Sequence, residues 1–365
     1  MSLINTIFEM DDIRLDPAGS GGEFGHVKLN KKGSFKDFYK VGSILGEGAF
    51  GVVRLVTCKS DHSKWAVKVI DKRKVDPGDH SLQTEIDILC RVKQPNCICL
   101  REWFDEPTRV LLVMELVTGG TLLDHIVNSG HFNEEVGRKI FRDLATGLEY
   151  LHAHGIAHRD LKPENFMLSS KSPDASVKLA DYGLSKILVD PAGGNERTVC
   201  GTPSYVAPEI LRCMTGNEET YNAIAADAWS LGVNLFIILS GYPPFWRHET
   251  NQKKLFDAIG RNDWSFDQTC WKDISVDAKN LIKDLMEPDV EKRYTVKQAL
   301  QHKWCAETAS EKALPETLAN LSEFTHRFKK AGLAVLFKTR LTRLVTGLKN
   351  TGKRLIKSPR GDDDP

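Results

Sequence analysis

Residues 158–165 read His-Arg-Asp-Leu-Lys-Pro-Glu-Asn and constrain this chain more than any other stretch. They place an acid, a cation and an amide close together: Asp160, Lys162 and Asn165. Asp160 can accept a hydroxyl proton, Lys162 can face a phosphoryl group, and Asn165 can offer an oxygen to a magnesium ion. A shorter His-Arg-Asp run would equally suit a polar turn after a helix, with Lys-Pro as punctuation. The flanking sequence supplies a scaffold. Upstream, residues 134–154 carry Ile140, Leu144, Leu148 and Leu151 at helical spacing, and Gly155 is a natural residue to follow the helix end. Downstream, Val177 to Ala180 is a short apolar strand that presents Asp181.

A second constraint lies nearer the N-terminus. Two strand-like runs, 39–46 and 52–57, flank Gly46-Glu47-Gly48-Ala49-Phe50-Gly51-Val52-Val53. Glycines in such a hairpin let backbone N–H groups approach phosphates without a Cβ in the way. The same glycine spacing opens the helix of dinucleotide-binding folds, but here a strand follows, which argues against that fold. The next apolar run, Trp65-Ala66-Val67-Lys68-Val69-Ile70, holds one lysine. Lys68 is either solvated or a buried cation with a partner. Glu85, in a helical pattern over 82–89, is the candidate partner, unless it is merely a solvated helix charge.

Taken in order, the glycine loop, Ala66-Val67-Lys68, Glu85, residues 158–165 and Asp181-Tyr182-Gly183 resemble the signature set of protein kinases. The resemblance covers about residues 38–304. It implies an α+β, two-lobed fold, with a β-rich small lobe over 38–116 and a helical large lobe over 117–304. Residues 1–37 would be an N-terminal extension, 305–360 a regulatory segment and 361–365 an acidic end. It also implies ATP and Mg2+. Leu45, Gly46, Gly48, Gly51, Val53, Ala66, Met114, Glu115, Val117 and Met167 would line the nucleotide site, with Met114 as gatekeeper and the backbones of Glu115 and Val117 against adenine. Lys68 would hold phosphates and pair with Glu85, Asp160 would be the catalytic acid-base group, and Asn165 and Asp181 would bind metal. By the same resemblance, Lys162 would favour serine or threonine hydroxyls over tyrosine as acceptors.

Further matches extend the resemblance. Residues 184–200 lack periodicity and suit an activation loop, with Thr198 as a regulatory phosphosite for an upstream kinase and Arg159 as its counter-charge. Ala207-Pro208-Glu209 follows, and Arg293 would pair with Glu209. Asp227 would brace the catalytic loop. Leu116-Val117-Thr118-Gly119-Gly120 and Leu239-Ser240-Gly241-Tyr242-Pro243-Pro244-Phe245 are similar to the calcium/calmodulin-dependent protein kinase group. Two positions depart from the pattern. Tyr182 stands where phenylalanine is usual, and its hydroxyl needs a partner or costs about 1–3 kcal/mol. Thr121 replaces a glutamate that in relatives contacts ribose and a substrate arginine; Asp124 and Glu164 could partly supply that selectivity.

The C-terminal segment is the other informative region. Between Phe324 and Arg360 lie 11 Lys or Arg residues and no Asp or Glu. Phe324, Phe328, Ala331 and Val335, then Leu333, Phe337, Leu341, Leu344 and Leu348, recur at helical spacing. A basic amphipathic helix suits a calmodulin target, over about 318–348, or a membrane surface, or a helix docked on the kinase with a solvated basic face. Phe324 and Phe337 are 13 positions apart, a spacing that resembles the two anchors of calmodulin targets.

Global properties exclude little more. A net charge of +1 gives no reason to expect nucleic acid as a partner. No uninterrupted run of about 18 apolar residues suggests a transmembrane helix, and the start resembles no signal peptide. The 8 cysteines are scattered, with no metal or redox spacing, as expected of a cytoplasmic or nuclear protein. The rival expectation is a pseudokinase scaffold that binds partners without catalysis.

Overall fold

The computed structural model describes residues 33–47, 51–75, 80–172, 174–188, 195–249 and 251–327. Its small lobe is a five-stranded antiparallel sheet of order β1-β2-β3-β5-β4. The strands are β1 (Tyr39–Glu47), β2 (Gly51–Cys58), β3 (Lys64–Asp71), β4 (Leu100–Asp105) and β5 (Arg109–Met114). Their Val, Ile and Leu content suits a pleated surface, buried along β5 and largely exposed along β1. In β5, Leu111 and Val113 enter an outer cluster with Phe35, Tyr39 and Phe104, whereas Val110 and Leu112 face the main core. Phe35 stacks on Tyr39 at 5.2 Å and meets Phe104 edge-on at 5.3 Å. Burying a ring of that size stabilises by about 1.5–3 kcal/mol, so Phe35, in the stretch read from sequence as an extension, packs on the lobe. Residues 1–32 of that extension lie outside the described residues.

Helix α1 (Ser81–Arg91) buries Leu82, Ile86 and Leu89, residues one and two turns apart, and so turns Glu85 toward the sheet. Register does the rest on the sheet's inner face. Lys68 sits opposite Val53 and Leu112, and Ala66 opposite Met114. Residues two apart on β3 share a face, so Val53, Ala66, Lys68 and Met114 line one surface.

The large lobe is helical. It contains α2 (Leu122–Ser129), α3 (Glu134–Ala153), α4 (Pro208–Met214), α5 (Ala223–Ser240), α6 (Gln252–Gly260), α7 (Val276–Leu285) and α8 (Val296–Gln301). The Asn133 side chain caps α3 by accepting the Val136 N–H at 2.8 Å, and two glutamates fill its first turn. Ile140, Leu144, Leu148 and Leu151 are all buried. Helix α5 has the length and apolarity of a membrane span, with hydropathy 1.6, but 83% of it is buried inside the lobe. It is the lobe's central helix.

Three short ribbons frame the loop at 158–165. β6 (Ile156–Ala157) pairs with β9 (Lys186–Ile187), β7 (Phe166–Leu168) with β8 (Val177–Leu179), and β10 (Asn195–Glu196) with β11 (Tyr221–Asn222). Strand β6 enters the loop and β7 leaves it, so both ends are hydrogen-bonded into ribbons.

Packing continues past Trp304. Cys305, Leu314 and Leu321 belong to the main core, and a helix runs over 315–327. The Thr317 hydroxyl donates to the Leu239 carbonyl at 2.7 Å, and the Asn320 amide to the Ser240 carbonyl at 2.9 Å. A Cβ at Gly241, whose φ is +83°, would lie 2.4 Å from the Asn320 Cβ. Only glycine permits that approach. The rest of the basic segment, with Phe328 and Phe337, and the acidic end at 361–365 lie outside the described residues.

Candidate active site

Asp227, buried in α5, organises the loop from below. Its Oδ2 accepts the His158 N–H and its Oδ1 the Arg159 N–H, each at 2.7 Å, and His152 Nε2 lies 3.0 Å from Oδ2. With two backbone donors fixed, the chain turns through Arg159 at φ +68°, a conformation that costs a non-glycine residue about 1–2 kcal/mol. The turn delivers Asp160, which is 8% exposed. Lys162 Nζ lies 2.5 Å from Asp160 Oδ2, and the Thr202 hydroxyl donates to Oδ1 at 2.9 Å. Lys162 also donates to Thr202 Oγ1 at 3.2 Å. Asn165 Nδ2 donates to the Asp160 carbonyl at 2.8 Å, which leaves Oδ1 as the end of its amide able to face a cation.

Across the cleft, Lys68 Nζ meets Glu85 Oε1 at 2.5 Å and lies 3.6 Å from Asp181 Oδ1. Burial works against the Lys68 ammonium, yet the charges of Glu85 and Asp181 raise its pKa above the ordinary lysine value. Burial likewise opposes ionisation of Asp181, and Lys68 overcomes it, holding the carboxyl below its usual range. Asp181 stands at φ +64°. Its carboxylate and the Asn165 amide oxygen are hard oxygen donors. They fit Mg2+, which takes one or two protein ligands and completes its shell with phosphates and water.

The nucleotide-lining residues divide by environment. Val53, Ala66 and Met114 share the Lys68 face, and Met167, on β7, bridges to Thr121. Leu45 is 49% exposed on β1. A Cβ at Gly51 would fall 1.9 Å from the Val69 carbonyl oxygen, so strand packing alone demands glycine there. At Gly46 a Cβ meets nothing within 4 Å among the described residues. Gly48 lies outside the described residues. The Glu115 N–H donates to the Cys99 carbonyl at 3.1 Å, so its own carbonyl is the group it can offer a base. Lys178 holds the Glu115 carboxylate at 2.9 Å, and Val117 follows at the lobe junction, half-buried.

Both departures found in the sequence are accommodated. Tyr182 is buried, with its hydroxyl 3.3 Å from the Leu179 carbonyl and 3.5 Å from that of Ile98. Thr121 caps α2, its hydroxyl accepting the Asp124 N–H at 3.3 Å. Arg293 and Glu209 pair as expected, at 2.6 and 2.9 Å. Arg159 does not wait beside Thr198 as an uncommitted charge: its Nη2 donates to the Thr198 carbonyl at 2.6 Å and its Nη1 lies 3.4 Å from Glu196. Thr198 itself is exposed, while activation-loop residues 189–194 lie outside the described residues.

Sequence reasoning missed Thr202 and Glu196. Thr202 sits in Cys200-Gly201-Thr202-Pro203, just before Ala207-Pro208-Glu209, a local signal that was available. Glu196, in a polar run, gave no signal.

Comparison with known proteins agrees with this geometry. Residues 39–305 match the family model described as protein kinase domain. Over 281 residues the chain is 41% identical to calcium/calmodulin-dependent protein kinase type 1 of Macrobrachium nipponense, spanning 77% of this chain and 78% of that protein. It is 42% identical over 300 residues to a probable myosin light chain kinase of Dictyostelium discoideum, covering 82% of each. With calcium/calmodulin-dependent protein kinase type IV of Mus musculus it shares 41% identity over 309 residues, 84% of this chain and 63% of the relative.

Proposed function

This chain belongs to the protein kinase family and is a serine/threonine kinase of the calcium/calmodulin-dependent kinase-like group, and we propose that Asp160 orients and deprotonates the acceptor hydroxyl. The observation that carries this assignment is the Asp160 carboxylate framed by Lys162 and the Thr202 hydroxyl. Lys68, steadied by Glu85, and the glycine-loop amides position the ATP phosphates. Lys162 faces the transferred phosphoryl group. Asn165 and Asp181 would hold Mg2+, which would supply charge stabilisation to the phosphates. A pseudokinase scaffold finds no support, because every described catalytic position is filled and assembled. The test is Asp160→Asn, which keeps shape but removes the proton acceptor. Phosphate transfer should fall about 10²–10⁴-fold while ATP binding persists; retention of more than about a tenth of kcat would sink the role.

We further propose that the C-terminal segment inhibits the kinase and that calcium-loaded calmodulin relieves it. The support is twofold: the segment is strongly basic, and relatives bear calmodulin in their names. A tethered segment has an effective concentration on the order of mM, so weak docking suffices. Phe324 packs partly buried against the large lobe, so calmodulin would have to peel it away to use it as an anchor. Leu314 and Leu321 are core residues, so the informative truncation ends at Arg327 rather than near 305. That truncated enzyme should no longer depend on calcium, and a peptide of residues 318–348 should bind calmodulin only with calcium. A truncated enzyme no more active than full length rules out autoinhibition; a peptide that binds anionic vesicles and ignores calmodulin makes the segment a membrane helix.

Exposed Thr198 is our candidate for an upstream kinase; if Thr198→Ala responds to an activating kinase as wild type does, the switch lies elsewhere. The 8 unpaired cysteines support a cytosolic or nuclear location, which fractionation of the native protein checks.

A further inference from the structure

Glu196 does not behave as a loop charge. It is 2% exposed, whereas Arg197, Thr198 and Val199 after it are exposed. Its Oε2 lies 2.6 Å from Lys186 Nζ and 3.4 Å from Arg159 Nη1. Its Oε1 accepts the backbone N–H of Arg197 at 2.8 Å and of Thr198 at 2.7 Å. Burial alone would push its pKa up. Lys186, the Thr198 amide and Arg159 outweigh burial and bring it down to about 2, so the carboxylate stays charged at neutral pH.

Each partner leads to the catalytic loop. Lys186 lies opposite Ala157 in the β6–β9 ribbon, one residue before His158. Arg159 is the residue before Asp160, with its N–H fixed by Asp227. Its guanidinium and the Tyr221 hydroxyl both hold the Thr198 carbonyl, at 2.6 and 3.0 Å. From there a short run reaches Thr202, whose hydroxyl contacts Asp160 and Lys162. One buried anion therefore joins β9, the catalytic loop and the activation segment.

We propose that Glu196 is a positioning residue, an internal anion that neutralises Arg159 and Lys186 and orders residues 196–202 without a phosphate on Thr198. This rests on the kinase reading and adds to it a basal activity independent of phosphorylation. Phosphate on Thr198 would then adjust a segment already in place.

The test uses the full-length chain, treated with phosphatase and confirmed unphosphorylated by mass spectrometry, with a serine peptide as acceptor. Wild-type turnover tests the kinase reading; the variants test Glu196. Glu196→Gln should lower kcat about tenfold or more, since a misplaced catalytic group costs up to about 10²-fold, with the ATP KM within about twofold. Glu196→Asp, which keeps the charge, should fall in between, and Thr198→Ala should stay within about twofold of wild type. The proposal is overturned if Glu196→Gln retains wild-type kcat, if Thr198→Ala falls as far as Glu196→Gln, or if Asp rescues nothing. Should Glu196→Gln fail to melt cooperatively, Glu196→Asp against Thr198→Ala decides: a larger loss in the former supports the proposal, and the reverse overturns it.

Discussion

Two buried ion pairs in this protein use similar groups to opposite ends. Deep in the large lobe, Arg293 grips Glu209 through both carboxylate oxygens, with side-chain exposures of 0% and 2%. The same guanidinium also donates to the Ala225 carbonyl at 2.9 Å and the Glu287 carbonyl at 2.8 Å. Four hydrogen bonds nearly exhaust its donors. In the cleft, Lys68 has one short contact, to Glu85 at 2.5 Å, and Asp181 at 3.6 Å is beyond good hydrogen-bond length. An ammonium carries three donors, so Lys68 keeps capacity for phosphate oxygens. The difference teaches that saturation, more than burial, separates a structural pair from a working one.

The strongest way to break this comparison is Arg293→Met. It leaves Glu209 buried without its cation, and stability should fall by about 3–5 kcal/mol. Urea unfolding measures it, and a loss below about 1 kcal/mol would mean that the fork holds little.

Lys68→Met sharpens the other side. Stability should drop less, by about 1–3 kcal/mol for a glutamate left near the cleft mouth, while turnover falls by about 10²-fold or more. Equal destabilisation by the two variants would erase the distinction between the pairs.

The smallest effect concerns a carboxyl with no such partner. Glu164 Oε2 is buried without a hydrogen bond, and burial pushes its pKa up to about 7, only partly offset by Lys162. It is neutral below that pH and charged above it. If it receives a basic substrate side chain, the peptide KM should fall as pH rises from 6 to 8, by about two- to fivefold. A neutral peptide should show no such trend, and Glu164→Gln should flatten the profile. A profile unchanged by that substitution would remove Glu164 from substrate recognition.

The site was more legible in the sequence than its supports. Asp160, Lys162 and Asn165 announce themselves because their chemistry needs particular groups within one short loop. Lys68 was visible as one charge in an apolar strand, and Glu85 as its candidate across an intervening turn. Thr121 and Tyr182 were visible as departures, yet how the Thr121 hydroxyl serves a helix cap was not. The packing of Phe35 was not legible because one aromatic in a polar stretch carries no periodicity; its contacts with Tyr39 and Phe104 show it. The basic C-terminal pattern favoured a calmodulin target while leaving docking and a membrane surface open, and the seating of residues 317–321 on the lobe shows only in the contacts of Thr317, Asn320 and Leu321.

By itself, then, the sequence determined which groups can accept a proton, hold a metal or cradle a phosphate. Those properties reside in residue type and local spacing, and both survive in a linear chain. The tertiary structure alone decided which distant charges meet. Glu196, Lys186 and Arg159 look equally solvated in the sequence, and Coulombic preference among such charges is weak in water. Burial at the junction of β9, β10 and the catalytic loop removes the solvent that would have masked them, and the ribbon registers fix which cations reach the one anion.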